Sequence, residues 1–133
     1  MVAVARTGPI WCTTLPPVAG SVPAARHFCA EAVESLGAAH SAPEAELLVS
    51  ELAANAVLHA GTPMRVSVLR HDEHVRIEVR DDDPTLPRRL APDPLAMNGR
   101  GVMLVDTLSS AWGVNGNQRG KTVWFELPGP RTN

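Results

Sequence analysis

The chain has 133 residues, the size of one ordinary domain, and 44% of them are hydrophobic, enough for a core without metal or disulfide staples. Two cysteines, Cys12 and Cys29, are too few for a disulfide framework, and they read as two small hydrophobes. The formal net charge of −2 is mixed along the chain and excludes a nucleic-acid-binding field. No apolar run is long enough to span a bilayer and residues 1–8 carry no secretory signal, so a cytoplasmic protein is expected.

Residues 1–9 read as a loose arm. Residues 10–15 (Ile-Trp-Cys-Thr-Thr-Leu) are β-rich and stop at Pro16-Pro17, which predicts a first strand. Ser21 is positioned to cap a helix that begins near Pro23 and stops at Gly37. Ala25, Phe28, Cys29, Ala32, Val33 and Leu36 form its apolar stripe. A second helix is expected from Ser41, with Glu44 completing a capping box, through Leu48, Leu52 and Val57 to a stop at Gly61-Thr62-Pro63. Met64, Val66 and Val68, and then Val75, Ile77 and Val79, alternate with polar residues across a short connection, which predicts a β-hairpin.

From 81 to 98 the periodicity is lost, and four prolines mark a long loop of the kind that serves as a lid. Gly99-Arg100-Gly101 then opens a short helix over 102–108. Residues 112–115 read as a strand and 116–120 as a turn. The last strand alternates Val123, Phe125 and Leu127 with Thr122, Trp124 and Glu126. The order is strand, two helices, two strands, lid, helix, two strands. It predicts an α+β two-layer sandwich with a mixed, mostly antiparallel sheet and helices on one face. The domain occupies 10–128, with 129–133 as a tail.

Glu51, Asn55 and His59 recur every four residues on a helix otherwise rich in Ala, Leu and Val, so they stack along one side at the border of the apolar face. A carboxylate and an amide at a core edge are costly unless paired or used. The line reads either as a solvated helix edge or as a Mg²⁺-nucleotide site, with Asn55 giving the metal a neutral oxygen and Glu51 deprotonating a hydroxyl. For His59 a structural role is expected. Gly99-Arg100-Gly101 before Val102 suits phosphate, because free N–H groups open the helix and glycine admits a close ligand. A plain loop-to-helix junction is the alternative.

Two other motifs are rejected. Gly116-Asn117-Gln118-Arg119-Gly120-Lys121-Thr122 is one residue short of a Walker loop and leads into a strand rather than a helix. Asp81-Asp82-Asp83 lacks the spacing and terminal Glu of a calcium loop, although one strand-end aspartate can accept a hydrogen bond from an adenine amino group.

Taken in order, four segments resemble the GHKL (Bergerat-fold) ATPase series. They are Glu51-Leu52-Ala53-Ala54-Asn55-Ala56, Asp81 at a strand end, Gly99-Arg100-Gly101-Val102-Met103-Leu104-Val105 and Gly120-Lys121-Thr122-Val123-Trp124-Phe125. The short length and the phrase Ser50-Glu51-Leu52-Ala53-Ala54-Asn55-Ala56 look most like stand-alone bacterial anti-sigma-factor serine/threonine kinases. There is no room for the dimerisation and phosphoacceptor segments that sensor histidine kinases usually carry.

The resemblance implies ATP and Mg²⁺ as cofactors. Asn55 would bind the metal, and Glu51 would act as general base on a partner's serine or threonine. Asp81 would contact the adenine amino group. Gly99, Arg100, Gly101 and Val102 would hold phosphates, and Thr122 would support the adenine end. It also implies a sigma factor and a STAS-type antagonist as partners, a homodimer, and no direct contact with nucleic acid or membrane. One position departs from the pattern. Asp83 stands where the family's first glycine box usually has Gly, which places a carboxylate beside the nucleotide. A non-catalytic partner-binding module of the same fold therefore stands as the alternative to a kinase.

Overall fold

The computed structural model describes residues 10–84 and 108–130. Strand β1 (Trp11–Leu15) is followed by helix α1 (Ser21–Ser35), a 3-10 turn at Ala39–Ser41, and helix α2 (Ala42–Asn55). A π-helical turn, Ala56–Ala60, extends α2. The hairpin β2 (Met64–His71) and β3 (His74–Asp81) comes next, and β4 (Ala111–Asn117) and β5 (Gly120–Pro128) close the described chain. Residues 85–98 of the predicted lid and 102–107 of the short helix lie outside the described residues; Asp81, the first lid position, ends β3.

The five strands form one sheet in the order β1-β2-β3-β5-β4, and each described pairing is antiparallel. Strand alternation divides its two faces. Met64, Val66, Val68, Val75, Ile77, Val79, Phe125 and Leu127 point to the helical layer and are buried. They meet Ala25, Cys29, Ala32 and Val33 of α1 and Ala45, Leu48, Val49, Leu52 and Ala53 of α2 in a single core. Full burial of each large side chain here, such as Phe125, Leu48 or Ile77, stabilises the fold by about 1.5–3 kcal/mol. The small residues of α1 and α2 let the helices pack closely on each other as well as on the sheet.

The opposite face is polar and partly exposed. The Arg76 guanidinium sits 4.0 Å from the centre of the Trp124 ring. Glu126 accepts a hydrogen bond from Arg76 Nε at 3.0 Å and lies 2.8 Å from His71 Nδ1.

Both expected N-caps are corrected. Helix α1 starts at Ser21 itself, and the Ser21 hydroxyl donates to the Pro16 carbonyl at 2.6 Å instead of accepting from a helix N–H. Ser41 makes no side-chain capping bond to α2, and its hydroxyl donates to the carbonyl of Pro128 at 2.6 Å. Each serine ties a helix start to a strand end, and neither hydroxyl accepts from an N–H of its own helix. At the other end, Gly61 adopts a left-handed φ of 65° and stops the helical run. In the hairpin, Asp72 takes the positive φ of 56° that the tight connection to β3 requires.

Candidate functional site

Of the residues expected at the site, those on α2 and Asp81 are linked through the start of β2. The chain leaves the π turn at Gly61 and enters β2 at Met64, whose cross-strand partner is Asp81 at the end of β3. The backbone N–H of Asp82 donates to Thr62 Oγ1 at 3.0 Å and stitches that strand end to the segment leaving the helix. The C-terminal half of α2 and the Asp81 carboxylate are thereby brought to the same end of the sheet.

Glu51 and Asn55 are half-buried on α2, next to the buried Leu52, Ala53 and Ala56. Among the described residues neither side chain is engaged in a hydrogen bond or ion pair. A half-buried amide without a partner has its oxygen available to a hard cation. The π turn begins directly after Asn55, with the Gly61 N–H reaching back five residues to the Ala56 carbonyl at 3.2 Å. Such wide turns inside helices are frequent at functional sites. They also break the four-residue repeat, and His59 is exposed where Glu51 and Asn55 are half-buried. The polar line of the sequence is thus a pair.

Asp81 is 5% exposed, and alternation points it toward the helical layer with Val75, Ile77 and Val79. Its Oδ1 accepts from Lys121 Nζ at 3.0 Å and from the Asp83 backbone N–H at 2.9 Å. Lys121 Nζ also donates to the Asp83 carbonyl at 3.2 Å. Lys121 is itself buried, so this is a desolvated ion pair whose cost is offset by close contact and by the added backbone bonds. Asp83, in the position of the expected glycine, supplies both a donor and an acceptor from its backbone to this cluster.

Thr122 does not join the cluster. It pairs in register with Arg80 and Asn115, so alternation places its side chain on the sheet face opposite that of Asp81. The residue on the Asp81 face is Lys121, which pairs directly with Asp81. Counting by twos back from Phe125 and Leu127 reaches 121, so the parity of the last strand already contains this assignment. Gly99, Arg100, Gly101 and Val102 lie outside the described residues.

The residues therefore fit one part of a nucleotide and not the other. Asn55 suits a metal and its phosphates, and Glu51 one turn earlier suits a base near a hydroxyl. At Asp81, whose carboxylate an adenine amino group would need as an acceptor, Oδ1 already accepts from Lys121 and from the Asp83 N–H.

An open antiparallel sheet with two helices packed on one face defines an α+β two-layer sandwich. The family model described as "Histidine kinase-like ATPase domain" matches residues 15–127, and the chain belongs to that family.

A stretch of 47 residues is 40% identical to the signal transduction histidine-protein kinase AfsQ2 of Streptomyces coelicolor. That match covers 35% of this chain and 9% of that protein, so the present chain corresponds to a small part of it. Among solved structures, the RsbU and RsbW domains of Rv1364c from Mycobacterium tuberculosis superpose with a TM-score of 0.64 at 19% identity, over 95% of this chain and 34% of that one. This likeness establishes the fold. The histidine kinase domain of the Erythrobacter litoralis EL346 blue-light activated histidine kinase gives a TM-score of 0.49 at 23% identity, over 78% of this chain and 60% of that one. Among the described residues no helix is long and apolar enough to cross a membrane.

Proposed function

We propose that this chain is an ATP-binding, anti-sigma-factor-like regulator that phosphorylates a serine or threonine of a STAS-type antagonist and sequesters a sigma factor. The observation that carries the reading is the half-buried Glu51–Asn55 pair on α2, at the same end of the sheet as Asp81. Bound ATP would supply the phosphoryl group and Mg²⁺ would neutralise its oxygens. Phosphoryl transfer is mostly positioning and charge neutralisation, so the protein's own part is short. Asn55 holds the metal through its amide oxygen. Glu51 accepts the proton of the partner's hydroxyl. Pairing with a second copy belongs to the same proposal.

Two substitutions test it. Asn55→Ala is expected to weaken Mg-ATP binding by about tenfold or more in calorimetric titration. Glu51→Ala is expected to keep nucleotide binding and lose transfer to a partner copurified from native extract. Normal transfer by Glu51→Ala contradicts the general-base role.

The Lys121–Asp81 ion pair and Asp83 favour a second reading, a partner-binding module that keeps the fold without catalysis. It requires that intact protein and partner exchange no phosphate in the presence of Mg-ATP.

A further inference from the structure

Lys121 is the single lysine in the chain, and its ammonium is buried against Asp81, the carboxylate that the family resemblance assigns to a purine amino group. The contacts close on themselves: ammonium to Asp81 Oδ1 at 3.0 Å, ammonium to the Asp83 carbonyl at 3.2 Å, and Asp83 N–H to Asp81 Oδ1 at 2.9 Å. A neutral amino group competes poorly for Oδ1, which already accepts a charge-assisted hydrogen bond, and is drawn less to the other oxygen of a carboxylate whose charge the ammonium neutralises. Displacing the lysine would strand an ammonium in a buried site, which is the unfavourable way to break such a pair.

We infer that Lys121 is a specificity-determining residue that occupies the base-reading carboxylate from within, so that this domain takes nucleoside triphosphates through phosphate and metal, without selecting adenine. The inference rests on the nucleotide reading above and names its substrate class more broadly. Selectivity is a difference of affinities, and here the element that would favour adenine is cancelled by a contact internal to the protein.

The test is calorimetric titration of the intact protein with Mg-ATP, Mg-GTP and Mg-tripolyphosphate, first in wild type and then in Lys121→Met and Lys121→Arg. Wild type is expected to bind ATP and GTP within about threefold of each other. Lys121→Met is expected to tighten ATP by about tenfold and leave tripolyphosphate unchanged, while Lys121→Arg keeps the wild-type ratio. The wild-type ratio needs no variant, so a folding defect in Lys121→Met does not remove the test. A wild-type preference for ATP over GTP of about tenfold or more overturns the inference alone, as does a folded Lys121→Met whose ATP affinity stays within about twofold. Silence of all three ligands in wild type and in Lys121→Met overturns the nucleotide reading and the inference with it.

Discussion

Cys29 has no exposed surface, and burial, reinforced by the nearby Glu46 carboxylate, pushes its thiol up from 9.0 to about 12. Below about pH 9 the thiol is protonated in both folded and unfolded chains and gives stability no slope. Between about 9 and 12 the unfolded chain releases the proton and the folded chain does not, so this group makes stability fall as pH rises. Urea unfolding at about pH 8 and about pH 10.5 is expected to show a shallower loss in Cys29→Ala than in wild type. Equal slopes contradict the burial argument.

At this scale the sequence was only partly legible. Asn55 and Glu51 stood out because polar groups are conspicuous beside Ala and Leu. Ser21 and Ser41 read as caps because capping is a local rule, whereas their actual acceptors, the Pro16 and Pro128 carbonyls, are set by chain return. Lys121 is not conspicuous by residue type, and only the parity of the last strand places it on the face of Asp81.

Between elements, the β4–β5 pairing depends on a residue without a side chain. A Cβ on Gly113 would lie 2.8 Å from Trp124 Cζ2, on the face where Trp124 stacks under Arg76. Gly113→Ala is expected to cost about 1–3 kcal/mol by crowding that ring, and adding Trp124→Leu is expected to recover part of the loss. Thermal melts of the single and double variants check this, and equal losses in both contradict it.

The start of α2 is tied to the end of β5 by the Ser41–Pro128 bond, which joins residues 87 apart in sequence. Ser41→Ala is expected to cost about 1 kcal/mol in a urea titration, with the helix itself intact by circular dichroism. The strands were legible because one face is buried: burial alternates with period two throughout β3 and from Met64 to Val68 of β2, whereas in β5 Glu126 is buried on the polar face as well and only the residue types alternate. The π turn was not legible, because the apolar pattern around 56–60 is the same for either helical period, and only the i−5 bond from Gly61 to Ala56 distinguishes them.

Over the whole molecule, the sheet order places the hairpin strand β3 at the centre, flanked by β2 and β5, so Asp81 ends a strand paired on both sides. Because β2 begins just after the helix stops, the same chain reversal that builds the sheet brings Asn55 to the Asp81 end. The fold class followed from the order of elements. The pairing of β3 with β5 across the intervening segment did not, since alternation gives a strand its faces and not its neighbour.

The central claim is that the helix edge at Asn55 holds the metal and phosphates of a nucleotide. It is tested most directly by paramagnetic broadening in the ¹H–¹⁵N spectrum on titration with Mn-ATP. The account predicts that the Asn55 side-chain amide and the backbone around Glu51 and Ala56 broaden first, while the Trp124 indole on the opposite sheet face stays sharp. Broadening centred on Trp124, or none near Asn55, contradicts it.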